Sequence, residues 1–140
     1  MRFTAGHDRD ALMSMGNDQL DSCVDVVVPL SSRHASTLRL MTASLGTDAG
    51  FSLDEIDDLK LALSEAFSML LIGARTDRVR ATFTTRAGAL KVVIGRESGD
   101  DLAIDDLGLK IMTAVVDAHA ISKSSITLWK GALELQASFR

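Results

Sequence analysis

Residues 52–73 read SLDEIDDLKLALSEAFSMLLIG, and no other stretch restricts the fold as strongly. Ser52 with Glu55 three residues later is a capping box, which fixes a helix start. Asp54, Glu55, Asp57 and Asp58 crowd the first turns, where the helix dipole favours negative charge. Ile56, Leu59, Leu63, Ala66, Phe67 and Leu70 then recur on one face, while Leu61, Glu65, Met69 and Ile72 occupy the other. The later turns are therefore apolar nearly all round, and such a helix is expected to be covered on both sides. Glu65 stands alone on that second greasy face, although carboxylates are seldom fully buried without a partner.

The elements around this helix suggest what covers it. Residues 23–30, CVDVVVPL, are a β-branched run closed by proline, so a strand at a sheet edge is expected. Ser31 or Ser32 can cap a first helix carrying Ala35, Leu38, Met41 and Leu45, with Gly46 as its stop. Two alternating runs, 79–86 and 90–96, flank Ala87-Gly88-Ala89 as a hairpin. After an acidic loop, Asp105 or Asp106 can cap a third helix whose expected buried face is Leu107, Ile111, Ala114, Val115 and Ala118. Runs 125–129 and 132–139 suggest a last hairpin turning at Lys130-Gly131. The order β-α-α-β-β-α-β-β predicts an α+β fold, a two-layer sandwich with the helices on one face of a mixed sheet. Residues 1–21 are polar and without period, so a flexible N-terminal tail is expected, followed by a single domain over 22–140.

Composition narrows function mainly by exclusion. At 140 residues, 46% hydrophobic and 24% charged, the chain is long enough for one core and too apolar to be disordered. Its net charge of −4 argues against a partner made of nucleic acid, whose phosphates call for a basic surface. Cys23 is the single cysteine, so an intrachain disulfide is excluded, and the scattered His7, His34 and His119 have no zinc-ligand spacing. With no signal-peptide core and no apolar stretch of spanning length, a cytoplasmic protein without membrane association is expected.

The segment 52–67, SLDEIDDLKLALSEAF, resembles the core helix of the bacterial anti-sigma factor serine-protein kinases, members of the wider histidine-kinase-like GHKL ATPase superfamily. Residues 105–121, DDLGLKIMTAVVDAHAI, resemble the second glycine box and following helix of the same family. The resemblance spans about Val24 to Phe139 and implies a protein that holds an RNA polymerase sigma factor inactive. It also implies phosphorylation of a STAS-domain antagonist, release of sigma by partner switching, and dimerisation.

The resemblance also implies a nucleotide site, and there the sequence departs from the family. The kinase helix motif is close to Glu-Ala-x-x-Asn-x-x-x-His-Ala, with Glu as general base and Asn as an oxygen ligand for Mg²⁺. In this chain Glu65 and Ala66 are kept, but the Asn position is Met69 and the His position is Gly73. A thioether is too soft a ligand for Mg²⁺. The adenine-binding Asp of the next motif is replaced by Arg96, which has donors and no acceptor, and only Gly99 remains of its glycines. The second box carries Asp105 and Asp106 before Leu107-Gly108, placing carboxylates where phosphate would arrive at a helix N-terminus. A common threonine of the last strand is replaced by Leu133, and the loop after β-strand 90–96 is short for an ATP lid.

These departures predict a regulator that binds proteins while its nucleotide site is degenerate, with no cofactor and no metal. Its partners are expected to be a sigma factor, a STAS-domain antagonist or a kinase homologue. The helix from Ser31 to Leu45 is the candidate partner surface, with Arg33 and Arg39 as contacts. Glu65 is then a relic or a structural residue paired with an arginine. The alternative is an active serine/threonine kinase using Mg·ATP, with Glu65 as base and Asp105 or Asp106 holding the metal. A third reading is an apolar ligand cavity lined by Leu61, Met69 and Ile72.

Overall fold

A computed structural model describes residues 2–5, 22–74, 78–98 and 100–131. Strand β1 spans Arg2–Ala5 and β2 spans Ser22–Pro29. A 3-10 turn at Ser32–His34 leads into α1, Ala35–Asp48, followed by α2, Leu53–Leu71. The hairpin β3, Arg78–Arg86, and β4, Ala89–Arg96, comes next. Helix α3, Asp106–Val115, precedes β5, Ala118–Ile121, and β6, Ser125–Gly131.

The strands form one six-stranded sheet in the order β1-β2-β3-β4-β6-β5. Every pair among the described residues is antiparallel, so the α+β sandwich stands as expected, and the parallel pairing that a mixed sheet needs is not among them. Alternation sets its two faces. Val24, Val26 and Val28 of β2, Phe83 of β3, Ile94 of β4 and Leu128 of β6 point into the core with the helices. Against them lie Leu38 of α1, Met112 of α3, and Leu59, Leu63, Phe67 and Leu70 of α2. Helix α2 packs on the sheet and has α1 on one flank and α3 on the other, which explains why its sequence is apolar around most of its circumference. Leu61 and Ile72 nonetheless remain exposed, on the stripe that neither neighbour covers.

Several local expectations change. The strand 22–29 is not an edge strand, because β1 pairs with its Val24–Val27. Pro29 lies beyond that pairing, so its missing N–H interrupts no bond to β1. Arg2–Ala5 is thus strand rather than tail, whereas 6–21 lie outside the described residues. Neither Ser31 nor Ser32 caps α1 by its side chain. Gly46 does not end α1 either. It lies inside the helix, where a Cβ would come 3.1 Å from Ile56 Cγ1, so its smallness admits α2. The stop is Gly50, at φ 89°, with Gly50 N–H donating to Thr47 O and Phe51 N–H to Gly46 O, the paired bonds of a Schellman cap.

In α3 the buried positions are Gly108 and Met112, while Leu107 and Ala114 are exposed. The last described hairpin joins β5 to β6 through residues 122–124, and β6 runs straight through Lys130 to Gly131, where a turn was expected. The expected strand 132–139 and Leu133 lie outside the described residues. No helix among the described residues is long and apolar enough to cross a membrane.

Candidate functional site

The site is a seam where late α2, the start of α3 and the loop between β4 and α3 meet. Helices α2 and α3 run in opposite directions along it. Lys130 fixes one end, its Nζ donating to Val115 O at the end of α3 and standing 3.7 Å from Asp58 Oδ2 near the start of α2. At the other end Gly108, in the first turn of α3, meets Glu65 and Met69 of α2.

Gly108 is the point of closest approach. A Cβ there would lie 2.9 Å from Met69 Cε and 3.1 Å from both Glu65 Oε2 and Asp105 Oδ2. A Cβ there would force the side-chain ends of Met69, Glu65 and Asp105 to shift, so these three side chains converge on this point. Asp105 is the N-cap of α3, its Oδ2 accepting from Gly108 N–H at 3.1 Å. Asp106 is exposed in the first turn. Met69 is buried against α3. Glu65 is half-buried and has no ion pair with an arginine among the described residues.

Arg96 closes the far end of the seam. It lies at the end of β4, only 5% exposed, pointing to the helix side of the sheet. Its Nη1 donates to Leu70 O at 2.8 Å and to Ile72 O at 2.5 Å, and its Nη2 donates to Asp100 O. A cation thus satisfies the free carbonyls at the C-terminus of α2, where the helix dipole is negative. The same guanidinium tethers the loop. Gly73, at φ 67°, turns the chain beside it, and Asp100 N–H donates to Gly73 O at 3.4 Å. Farther along, Leu102 N–H donates to Lys123 O. Gly99 lies outside the described residues. Arg96 and Gly73 therefore belong to one structural clasp, a role their substitution pattern alone does not reveal.

The structure divides the remaining candidates. Glu65, Met69, Asp105 and Gly108 converge, and Gly73 joins Arg96 nearby. Arg33 and Arg39 are on a different surface, at and after the turn into α1. Arg33 is exposed, whereas Arg39 is half-buried and donates to Ser64 Oγ of α2 and to Ser36 Oγ. Arg39 thus braces α1 against α2. Leu40, 73% exposed beside Arg39 in sequence, is a surface residue that helical periodicity alone did not single out. The apolar cavity expected around Leu61, Met69 and Ile72 is not enclosed, since Leu61 and Ile72 are exposed. A cleft of about 240 Å³ lies elsewhere, between Arg80, Thr82, Glu97 and Ser125. No group of His, Cys, Asp and Glu among the described residues is arranged to hold a metal ion.

No protein-family model matches the chain. In sequence it is 27% identical over 101 residues to the serine-protein kinase RsbW of Bacillus velezensis, a match covering 67% of this chain and 63% of that protein. The chain thus spans somewhat less than two-thirds of that relative's length. In fold it matches a crystal structure of the RsbU and RsbW domains of Rv1364c from Mycobacterium tuberculosis with a TM-score of 0.60 at 18% identity, covering 78% of this chain and 32% of that one. Sequence relationship and fold together bear out the resemblance to the anti-sigma serine-protein kinases that the helix 52–67 carries.

Proposed function

We propose that this chain is a regulator of the anti-sigma type that acts by binding proteins in a partner-switching pathway, with a nucleotide site that no longer takes Mg·ATP. The carrying observation is the Arg96 clasp. At the position where the resemblance calls for an adenine-accepting carboxylate, a buried guanidinium is held by Leu70 O, Ile72 O and Asp100 O. It offers adenine no acceptor, and it fastens to α2 the loop that would have to close over a nucleotide. Two further features support the same reading. Asp105 Oδ2 already holds the Gly108 amide that a phosphate would use, and like charge there costs roughly 4 kcal/mol per close pair at an effective dielectric near 20. Met69 presents a thioether, which suits Mg²⁺ poorly. The residues present do not fit the group, so no catalytic step is assigned to Glu65.

The protein partner, a sigma factor, a STAS-domain antagonist or a kinase homologue, is proposed to meet α1. Leu40 is 73% exposed there, and Arg33 adds an exposed cation seven residues earlier, in the turn that leads into α1. An apolar residue beside a cation suits a partner surface that pairs a hydrophobic pocket with carboxylates. The test is reciprocal purification of tagged protein from its native host. Wild type is expected to retain a sigma factor or a STAS-domain protein, and Leu40→Asp with Arg33→Glu is expected to lose it while remaining folded. Equal recovery with the doubly substituted protein would remove α1 as the partner surface.

A further inference from the structure

The seam between α2 and α3 leaves apolar surface and carboxylates uncovered in the same place. Four large hydrophobic residues are exposed along it: Leu61 at 44%, Ile72 at 53%, Ile104 at 57% and Leu107 at 66%. Each is tied by chain position to a group that meets the seam. Leu61 is one helical turn before Glu65, and Leu107 adjoins Gly108, which Glu65 approaches. Ile104 adjoins the Asp105 cap, and Ile72 adjoins Gly73, whose open side faces Asp100. Scattered exposed leucines need no explanation, but four around one seam mark a contact surface.

The charge of the seam selects the kind of partner. Glu65 and Asp105 meet at Gly108, Asp100 stands beside Gly73, and Asp101 and Asp106 follow in the chain. Among the described residues the cations near this end are the exposed Lys110 and Lys123 and the buried Arg96, whose Nη atoms donate to carbonyls, while Lys130 at the opposite end is engaged by Val115 O and Asp58. Carboxylates therefore dominate, and polyanions such as nucleic acid or anionic lipid are disfavoured.

We propose that the α2–α3 seam is a docking groove for a cationic, amphipathic segment of another protein. Apolar side chains of the segment cover Leu61, Ile72, Ile104 and Leu107, and its lysine or arginine side chains meet Glu65, Asp101 and Asp106. Helices α2 and α3 carry Leu61, Glu65, Asp106 and Leu107, so regular backbone presents these groups to the segment. The inference rests on the reading that nucleotide is not the occupant of this seam, and it is independent of the partner surface on α1.

The probe is a fluorescein-labelled synthetic peptide with leucine and lysine at helical spacing, titrated with the full chain near physiological salt and followed by anisotropy. The same peptide with glutamate for lysine is the control. The lysine peptide is expected to bind, and Leu107→Asp and Glu65→Lys are each expected to weaken it by about tenfold or more. Leu40→Asp on α1 is expected to leave it unchanged. Should either seam variant fail to fold, Ile104→Asp at a fully surface position gives the same readout.

Equal binding by wild type and the seam variants would overturn the proposal, since attraction to the overall negative charge would then suffice. Equal binding of the glutamate peptide would overturn it as well. Displacement of the peptide by Mg·ATP would overturn both this proposal and the degenerate-site reading. Loss of peptide binding without any sign of ATP binding would end only the docking groove and leave the regulator standing.

Discussion

Arg96 is a buried cation neutralised by backbone, not by a carboxylate. Its three carbonyl acceptors come from the end of α2 and from the loop that follows β4. Hydrogen bonds from a charged donor contribute about 1.5–3 kcal/mol each, and a carbonyl left unpaired on burial costs a similar amount. Arg96→Ala is therefore expected to destabilise the fold by about 3 kcal/mol, and Arg96→Lys by less, because a lysine cannot reproduce the fork. Denaturant unfolding measures the loss. Hydrogen exchange locates it, with faster exchange expected over Asp100–Leu102 in Arg96→Ala. An unchanged midpoint would mean that the clasp holds nothing.

At this scale the sequence was legible in identity and less so in role. That Arg96 cannot accept a hydrogen bond follows from its chemistry, and so does the misfit of Met69 to Mg²⁺. That Arg96 binds the carbonyls of α2 depends on residues 24 and 26 positions away in the chain, which no local pattern records. Gly108 was read as part of a glycine box, whereas in the structure it is the point of α3 nearest to α2, where a Cβ would displace the end of the Met69 side chain. Arg39 was read as a partner contact because the resemblance implies that the first helix faces its ligands. Its bond to Ser64 Oγ is again a long-range fact.

Among the elements, α2 followed its sequence most closely. Glu55 N–H donates to Ser52 Oγ at 3.2 Å and Ser52 N–H to Glu55 Oε1 at 3.0 Å, the reciprocal pair of a capping box. Ser52→Ala is expected to cost about 1 kcal/mol. That amounts to a fall of roughly 3 °C in Tm for a domain of this size, measured by circular dichroism; no change would mean that α2 starts without its cap. Helix α1 misled at its end because glycine serves two purposes. Gly46 and Gly50 are equally plausible stops in sequence, and only the approach of Ile56 and Phe51 to Gly46 distinguishes them. The buried face of α3 was misassigned because its inward residue is a glycine, which carries no hydrophobic signal. Gly108, Met112 and Val115 mark the inner face once α2 is in place. The final hairpin was misplaced because Lys130-Gly131 resembles a turn. Gly131 instead extends β6, with its N–H donating to Asp117 Oδ2 at 2.7 Å.

For the whole molecule, helix and strand order sufficed to predict a two-layer sandwich, while the described sheet is antiparallel and gains β1 and β5 at its edges. The missing information was the pairing of β1 with β2, since Arg2–Ala5 is too short and polar to announce a strand. The three described helices lie on one face with α2 between α1 and α3, and that arrangement builds two distinct surfaces. One is the exposed side of α1 with Arg33 and Leu40. The other is the seam of α2 with α3, lined by Glu65 and closed by Arg96. The resemblance implies nucleotide at the second surface, whereas a protein-binding regulator is free to alter it.

Whether the seam takes Mg·ATP is decided by thermal unfolding with and without millimolar Mg·ATP. A nucleotide bound at about 100 times its dissociation constant would stabilise the fold by about 2.7 kcal/mol. In a domain of this length that raises Tm by several degrees. The account predicts coincident melting curves for the wild-type chain. A reproducible rise of several degrees, abolished by Glu65→Gln or by omitting Mg²⁺, would contradict it and establish the seam as a working nucleotide site.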